Sequence, residues 1–533
     1  MSLKRLAFFL LAAAAVSAQA PRKPKLVVAI VVDQFRYDYL TRFRADYHGG
    51  LDRMLREGAV FANARYAQSP TVTAVGHSLV MTGAMPSVSG IVGNTWFDRE
   101  TGKQVTSVCD DRYKVVGAET PPPGLRCEDW DPASPHRLLV STIGDELKNR
   151  DERSKVIGIS LKSRSAILLS GHRADGAFWF DDQSGVFVSS TFYYSELPSW
   201  VQRFNALGLP REYLDKNWEG FESWDFHADA ISPRRYQKIS ASPWGNELVE
   251  KLAEAAIDAE RLGQREAIDL LTISFSSNDY VGHQTGPDAP EVRDMCIRTD
   301  KLLARLLEVV GDKVGLENAL FVLTADHGVA PVPEVQAERK MPGGYVYVDI
   351  EDIVRSALFK KFGAPDLVLG SVDSAVYLDH KALQERKIDV GAAYGTAVEA
   401  LLAVPQAHVV RVFTRNQLEQ GVAGDPIAAS VMNGFHPARS GDIVAIFEPY
   451  WMQVQKAPTI TTHFTPYNYD THVPAIFFGA GVGPGWFRQN IQVDDIAPTL
   501  AALMDVEIPA GAFGRVLTEL LDDYQPAPAI PAR

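Results

Sequence analysis

The sequence is short of cysteine, short of basic side chains, and without a second long apolar run, and each shortage narrows what the chain can be. Only Cys109, Cys127 and Cys296 occur, a poor set for a cysteine-built zinc site. Cys109 and Cys127 lie 18 residues apart in a Pro-rich, loop-like stretch. They can pair in an oxidising compartment, which leaves Cys296 as a free, buried thiol. Lys and Arg number 53 against 66 Asp and Glu, a formal net charge of −13. That balance argues against nucleic acid as a partner, because duplex binding neutralises phosphates with Lys and Arg. It also means that any phosphate site must be built locally. Beyond the N-terminus no stretch reaches about 18 uninterrupted apolar residues, so no membrane span is expected.

The opening "MSLKRLAFFLLAAAAVSAQA" has Lys4 and Arg5, then an apolar run, then the small-residue site Ala18-Gln19-Ala20. This is the pattern of a secretory signal peptide over residues 1–20, too short and wrongly flanked for a span. Its removal takes the net charge to −15, since Lys4 and Arg5 are lost. The expectation is a secreted, periplasmic protein of about 510 residues, enough for two or three domains or one large core with insertions. The closing Pro/Ala stretch, residues 526–533, reads as a disordered tail.

Several β-branched runs end in polar residues. "KLVVAIVVDQ" leads to Asp33, "KVIGISLKSR" to Lys162 and Arg164, "LLTISFSSND" to Asp279, and "ALFVLTADHG" to Asp326 and His327. "DIVAIFEPY" and "VPAIFFGAG" read as two more buried strands. Continuous apolar runs, rather than alternation, suit strands covered on both faces. Helical stretches such as "GNELVEKLAEAAIDAERLG" and "DMCIRTDKLLARLLEVVG" lie between them. The fold class is therefore α/β, a three-layer α/β/α sandwich with a largely parallel central sheet. One domain is expected over residues 21–525. Two regions interrupt its pattern, about 171–245 and about 335–440, and both are read as insertions that cap the sheet. The aromatics of "GAFWFDDQSGVFVSSTFYYSELPSW" suit a self-packed insertion core better than a pocket wall.

Ligands of open α/β sheets collect beyond the carboxyl ends of the strands, which is where these Asp, His, Lys and Arg residues fall. Asp33, Asp279, His283, Asp326, His327 and His472 have the identities for metal. Mixed carboxylate and imidazole ligands suit Zn²⁺ with open positions. Three Asp and three His, divided into two sets, would hold two ions. Singly these residues are weak signals: an Asp after a strand is commonly a turn former or helix cap, and Asp-x-x-x-His is background among 12 histidines. The adjacent Asp and His of "TADHG" say more, and all six residues in one order at strand ends say most.

Residues 69–78, "SPTVTAVGHS", pose a separate question. Two threonines precede Gly76-His77, with no Gly-x-Ser-x-Gly or His-Glu-x-x-His nearby. Either this is a plain loop, or one threonine does chemistry that needs an unusual activator.

Together with "VVDQFRYDYL", "MPSVSGIVGNTWFD", "SLKSRSAILL", "SNDYVGHQTGP", "LTADHGVAP", "YDTHVP" and "VDDIAPTLAALMDVEIP", this segment resembles the alkaline phosphatase superfamily. The branch resembled is that of secreted bacterial alkaline phosphatases with a threonine nucleophile, related to nucleotide pyrophosphatases/phosphodiesterases. These pieces span residues of about 25–520. The resemblance implies Thr73 as nucleophile, with Thr71 as a structural neighbour or cap and His77 in packing or hydrogen bonding. It implies one zinc on Asp33, Thr73, Asp326 and His327, and another on Asp279, His283 and His472. Asn94, 21 residues after Thr73, would donate to a phosphoryl oxygen. Lys162 and Arg164 would meet the extra charged oxygen of a monoester, Arg as a planar fork and Lys as a compact charge. The function implied is hydrolysis of small-molecule phosphate monoesters through a phosphothreonine. A phosphodiesterase or nucleotide pyrophosphatase with the same metal centre is the alternative. A sulfatase is disfavoured, since no cysteine stands in a Cys-x-Pro-x-Arg segment, and a cytoplasmic mutase conflicts with the export signal. A binding protein without turnover would have no need of Thr73.

Overall fold

The structure, a computed structural model, describes residues 23–118, 132–221 and 236–521. The leader, Cys127 and the 526–533 tail lie outside the described residues. Cys109 is disulfide-bonded, and Cys296 is free and buried. No helix among the described residues is long and apolar enough to cross a membrane.

A ten-stranded sheet organises the molecule. Its middle is five mutually parallel strands in the spatial order Ala319–Thr324, Leu26–Val32, Asp269–Phe275, Val156–Ser160, Gly176–Asp181. Every residue of Leu26–Val32, Asp269–Phe275, Val156–Ser160 and Ala319–Thr324 is buried, as the continuous apolar runs require. On one side the sheet continues antiparallel through His472–Gly479 and Ala59–Arg65 and ends on Gly485–Gln492. On the other it turns antiparallel through Val186–Ser190 and Val115–Val116.

Helices cover both faces. Pro243–Ala259 and Pro290–Lys313 pack together on one face, and Thr73–Thr82, Ser163–Ser170 and Ile496–Met504 on the other. The three-layer expectation therefore holds. In register, Val31 stands opposite both Thr324 and Ser274. The carboxyl ends of three neighbouring strands are level, and the residues that follow them meet at one rim.

Two expectations need correction. The region about 171–245 is not wholly a cap, because Gly176–Asp181 and Val186–Ser190 extend the central sheet. Its aromatics, including Phe178, Trp179, Phe180 and Phe187, are buried in the body. Strand Ile443–Phe447, within "DIVAIFEPY", belongs instead to a separate antiparallel four-stranded sheet with Val368–Val372, Ala375–Leu378 and Val409–Thr414. This smaller sheet and the helices Ile350–Phe362 and Val390–Leu402 share a core that includes Leu358, Leu401 and Phe447. Val72 and Val75 join the same core. The cap thus grips the start of the helix that carries Thr73.

That helix also lies against the end of the strand leading to Asp326. A methyl group built on Gly76 would sit 2.2 Å from the Asp326 carbonyl oxygen and 2.6 Å from its Cβ. Gly76→Ala is expected to lower stability by about 1–3 kcal/mol, the range for overpacking, despite alanine's better helix propensity. The midpoint of urea unfolding checks this; an unchanged or raised midpoint would show that the helix has room.

Candidate active site

The level strand ends deliver three carboxylates. Asp33 follows its strand directly, its N–H donating to the Phe275 carbonyl at 3.0 Å. Asp326 follows the neighbouring strand, and Asp279 opens the helix Ser277–Thr285 just past the third. All three are buried. Lys162, the residue preceding the helix Ser163–Ser170, sends its Nζ between them, 2.6 Å from Asp33 Oδ2 and 2.7 Å from Asp279 Oδ2. One buried ammonium cannot balance three buried carboxylates. Burial, with the charges of Asp279 and Asp326, pushes the Asp33 carboxyl well above the ordinary carboxylate range. Asp33 Oδ1 and Asp326 Oδ2 are buried with no hydrogen-bond partner. Buried charge is tolerated when paired or when it coordinates metal, so this residue set fits cations.

Three imidazoles complete the set, each prepared in the same way. His283 Nδ1 lies 2.7 Å from the Thr461 carbonyl, His463 Nδ1 lies 2.7 Å from the Thr71 carbonyl, and His327 Nδ1 lies 2.9 Å from the Gly328 carbonyl. A carbonyl only accepts, so each Nδ1 carries a proton and each Nε2 is the ring nitrogen able to offer a lone pair to a metal. The three Nε2 atoms face the acids. His283 Nε2 is 3.1 Å and His463 Nε2 3.7 Å from Asp279 Oδ1, and His327 Nε2 is 3.3 Å from Asp326 Oδ2. Anchoring one ring nitrogen to fix the other for a metal is the usual arrangement. Burial, together with the nearby His327 and His283, holds His463 well below the ordinary histidine range, in the neutral form that binds metal. Two groups result with atoms all within 4.8 Å, Asp33 with Asp326 and His327, and Asp279 with His327 and His463.

His472 does not join them. Its Nε2 is taken up by the Ala62 carbonyl at 2.9 Å, and its ring stacks on Tyr37 at 4.3 Å. The residue overlooked is His463, nine positions earlier in the same segment. Strand-end logic favours His472, the first residue of a strand, and passes over a loop histidine with no strand leading into it. The "YDTHVP" motif instead shapes that loop. Asp470 Oδ2 accepts from the Thr465 N–H at 2.8 Å and hydroxyl at 2.6 Å, and the Asp470 carbonyl accepts from the Gly328 N–H at 2.7 Å.

Thr73 is the first residue of the helix Thr73–Thr82 and is 2 % exposed. Its Oγ1 lies 3.5 Å from His327 Nε2. The free N–H groups and dipole of a helix start favour negative charge there. Thr71 is not a cap: its hydroxyl donates to the Thr465 carbonyl at 3.0 Å. His77 Nδ1 donates to the Thr73 carbonyl at 2.8 Å, and its Nε2 meets Ser274 Oγ at 2.9 Å. Its proton therefore faces the backbone of Thr73, away from any role as base for Oγ1. Asn94 Oδ1 accepts from the Ala74 N–H at 2.9 Å, which leaves the Asn94 NH₂ as the free donor end. Arg164 lies in the first turn of its helix, close enough to Lys162 for charge repulsion.

Acids and imidazoles around a helix-start threonine, at the carboxyl rim of a mostly parallel sheet, define a metallohydrolase site of the alkaline phosphatase superfamily. The type I phosphodiesterase/nucleotide pyrophosphatase family matches residues 27–467, and the chain belongs to it. Alkaline phosphatase PhoV of Synechococcus elongatus is 36% identical over 94% of this chain and 94% of its own length. Alkaline phosphatase PafA of Elizabethkingia meningoseptica is 35% identical, over 94% and 95%. The crystal structure of wild-type PafA superposes with a TM-score of 0.86 at 34% identity, covering 94% of this chain and all of that one.

His463→Ala is expected to cut activity by more than the ~10–100-fold typical of losing a residue that only supports a metal ligand. His472→Phe, which keeps the stack on Tyr37, is expected to stay within about tenfold of wild type. Rates of aryl phosphate hydrolysis at saturating zinc check the pair, and the reverse ranking would restore His472 as the ligand.

Proposed function

We propose that this protein hydrolyses phosphate monoesters to alcohol and inorganic phosphate through a phosphothreonine at Thr73. Two zinc ions are assigned, one to Asp33, Thr73, Asp326 and His327, the other to Asp279, His283 and His463. The observation that carries the proposal is the buried Thr73 hydroxyl 3.5 Å from His327 Nε2, which itself lies 3.5 Å from Asp33 Oδ1 and 3.3 Å from Asp326 Oδ2, two buried oxygens without a hydrogen bond.

When bound, the ions supply Lewis acidity, activating an alcohol as nucleophile and neutralising charge on the departing oxygen. The chain supplies position. The Thr73 hydroxyl, 3.5 Å from His327 Nε2, would give up its proton to solvent and attack phosphorus in line with the leaving group, whose oxygen takes up a proton from water as its bond to phosphorus breaks. Asn94, its oxygen held by Ala74, turns its NH₂ toward a phosphoryl oxygen. The departing alcohol leaves phosphate on Thr73. Water then attacks the same phosphorus from the vacated side, next to Asp279, His283 and His463, and Thr73 Oγ1 is restored. Phosphoryl transfer asks a protein mainly for positioning and electrostatics, and these residues supply both.

Lys162 and Arg164 favour the monoester. A monoester dianion carries one more charged oxygen than a diester, and Arg164 would complement it together with Lys162 once the Asp33 and Asp279 carboxylates bind ions in place of the Lys162 ammonium. The family description, type I phosphodiesterase / nucleotide pyrophosphatase, favours diester cleavage as the second reading. Export to the periplasm is supported by the signal-peptide pattern and by the disulfide at Cys109.

Thr73→Ala is expected to lose on the order of 10³-fold or more in kcat while still binding metal; unchanged hydrolysis would remove the nucleophile. Paired assays of an aryl phosphate monoester and its diester separate the two substrate readings. Arg164→Ala should cost about 10²-fold on the monoester, the scale of one lost transition-state donor, and leave the diester rate nearly unchanged. Equal losses on both, or a strong diester preference in wild type, would favour the phosphodiesterase.

A further inference from the structure

Gln34 stands in left-handed backbone with φ of 61° and is 2 % exposed. A buried residue other than Gly that is held in this region marks a conformation the surroundings impose, and such strain gathers at functional sites. Its contacts show what the conformation achieves. The Gln34 N–H donates to Asp326 Oδ1 at 3.1 Å, and its Nε2 donates to Asp279 Oδ1 at 2.7 Å. Asp326 and Asp279 belong to different metal-ligand groups. Gly282 clears the space, since a Cβ there would lie 1.9 Å from Gln34 Oε1.

We propose that Gln34 is a positioning residue that fixes the separation of the two metal half-sites by holding one carboxylate of each. It rests on the two-ion reading above. Lys162 also joins the two groups, through Asp33 and Asp279, but a cation there competes with the metal charge. A neutral amide orients a carboxylate without neutralising it, as groups that support metal ligands do. With Oδ1 of Asp326 tied to the backbone, its buried, unpartnered Oδ2 is the oxygen left for an ion. The left-handed turn at Gln34 lets a single residue reach Asp326 with its backbone and Asp279 with its side chain.

Calorimetric zinc titration of metal-free protein tests this with Gln34→Met, Gln34→Gly and Gly282→Ala. The first keeps the length and loses the amide, and the second relaxes the backbone and loses the amide. In the third, the added methyl group evicts the carboxamide with residue 34 unchanged. Wild type is expected to take two ions. All three variants should keep one ion at near wild-type affinity and bind the other about 10–100-fold more weakly. Gln34→Gly should show this loss with a metal-free unfolding midpoint no lower than wild type, which separates it from general damage and serves if the other variants fail to fold. Two ions bound with wild-type affinity in Gln34→Gly would overturn the inference and leave the two-ion reading standing. Fewer than two ions in wild type would overturn both.

Discussion

The structure depends on an electrostatic debt: Asp33, Asp279 and Asp326 are buried together around one buried cation, Lys162. Excess negative charge in a low-dielectric interior costs several kcal/mol per ion unless paired. The sheet imposes the crowding, because its parallel register brings three strand ends level. Strained backbone flanks the site on both sides, at Gln34 with φ of 61° and at Phe464, next to His463, with φ of 114°. A site that is repulsive when empty becomes favourable when divalent cations enter, so metal binding and local order are linked.

The neighbourhood of Thr73 is tied to that centre by contacts that reach across the chain. The Thr71 carbonyl holds His463, and the Thr71 hydroxyl holds Thr465. Two residues on, the Thr73 carbonyl holds His77, whose ring lies 3.2 Å from Asp326 Oδ2. The segment bearing Thr73 therefore touches residues of both candidate metal groups. The cap contributes through packing, since its core includes Val72 and Val75 on either side of Thr73. That packing joins the helix start to the cap.

Much of this was legible in the sequence because strand ends follow local rules. The apolar runs before Asp33, Asp279 and Asp326 mark both the sheet and the acids, and "TADHG" marks the adjacent Asp326 and His327 that share a candidate metal group. Three features were not legible. The strand Gly176–Asp181 is built from aromatics, so its affiliation with the central sheet depends on tertiary neighbours. His463 lies on a loop whose course is set by the distant Thr71 and by Asp470. Gln34 is in sequence a polar residue after a strand, and only its dihedral angle and two long-range bonds distinguish it.

On the proposed reading, cations at this rim make the Thr73 hydroxyl reactive. Anomalous diffraction at the zinc edge, from crystals of active protein, tests it most directly. Two ions are expected, one within bonding distance of Thr73 Oγ1 at about 2.0–2.2 Å, the span of zinc–oxygen bonds. An active crystalline enzyme with no ion near Thr73 would contradict that reading.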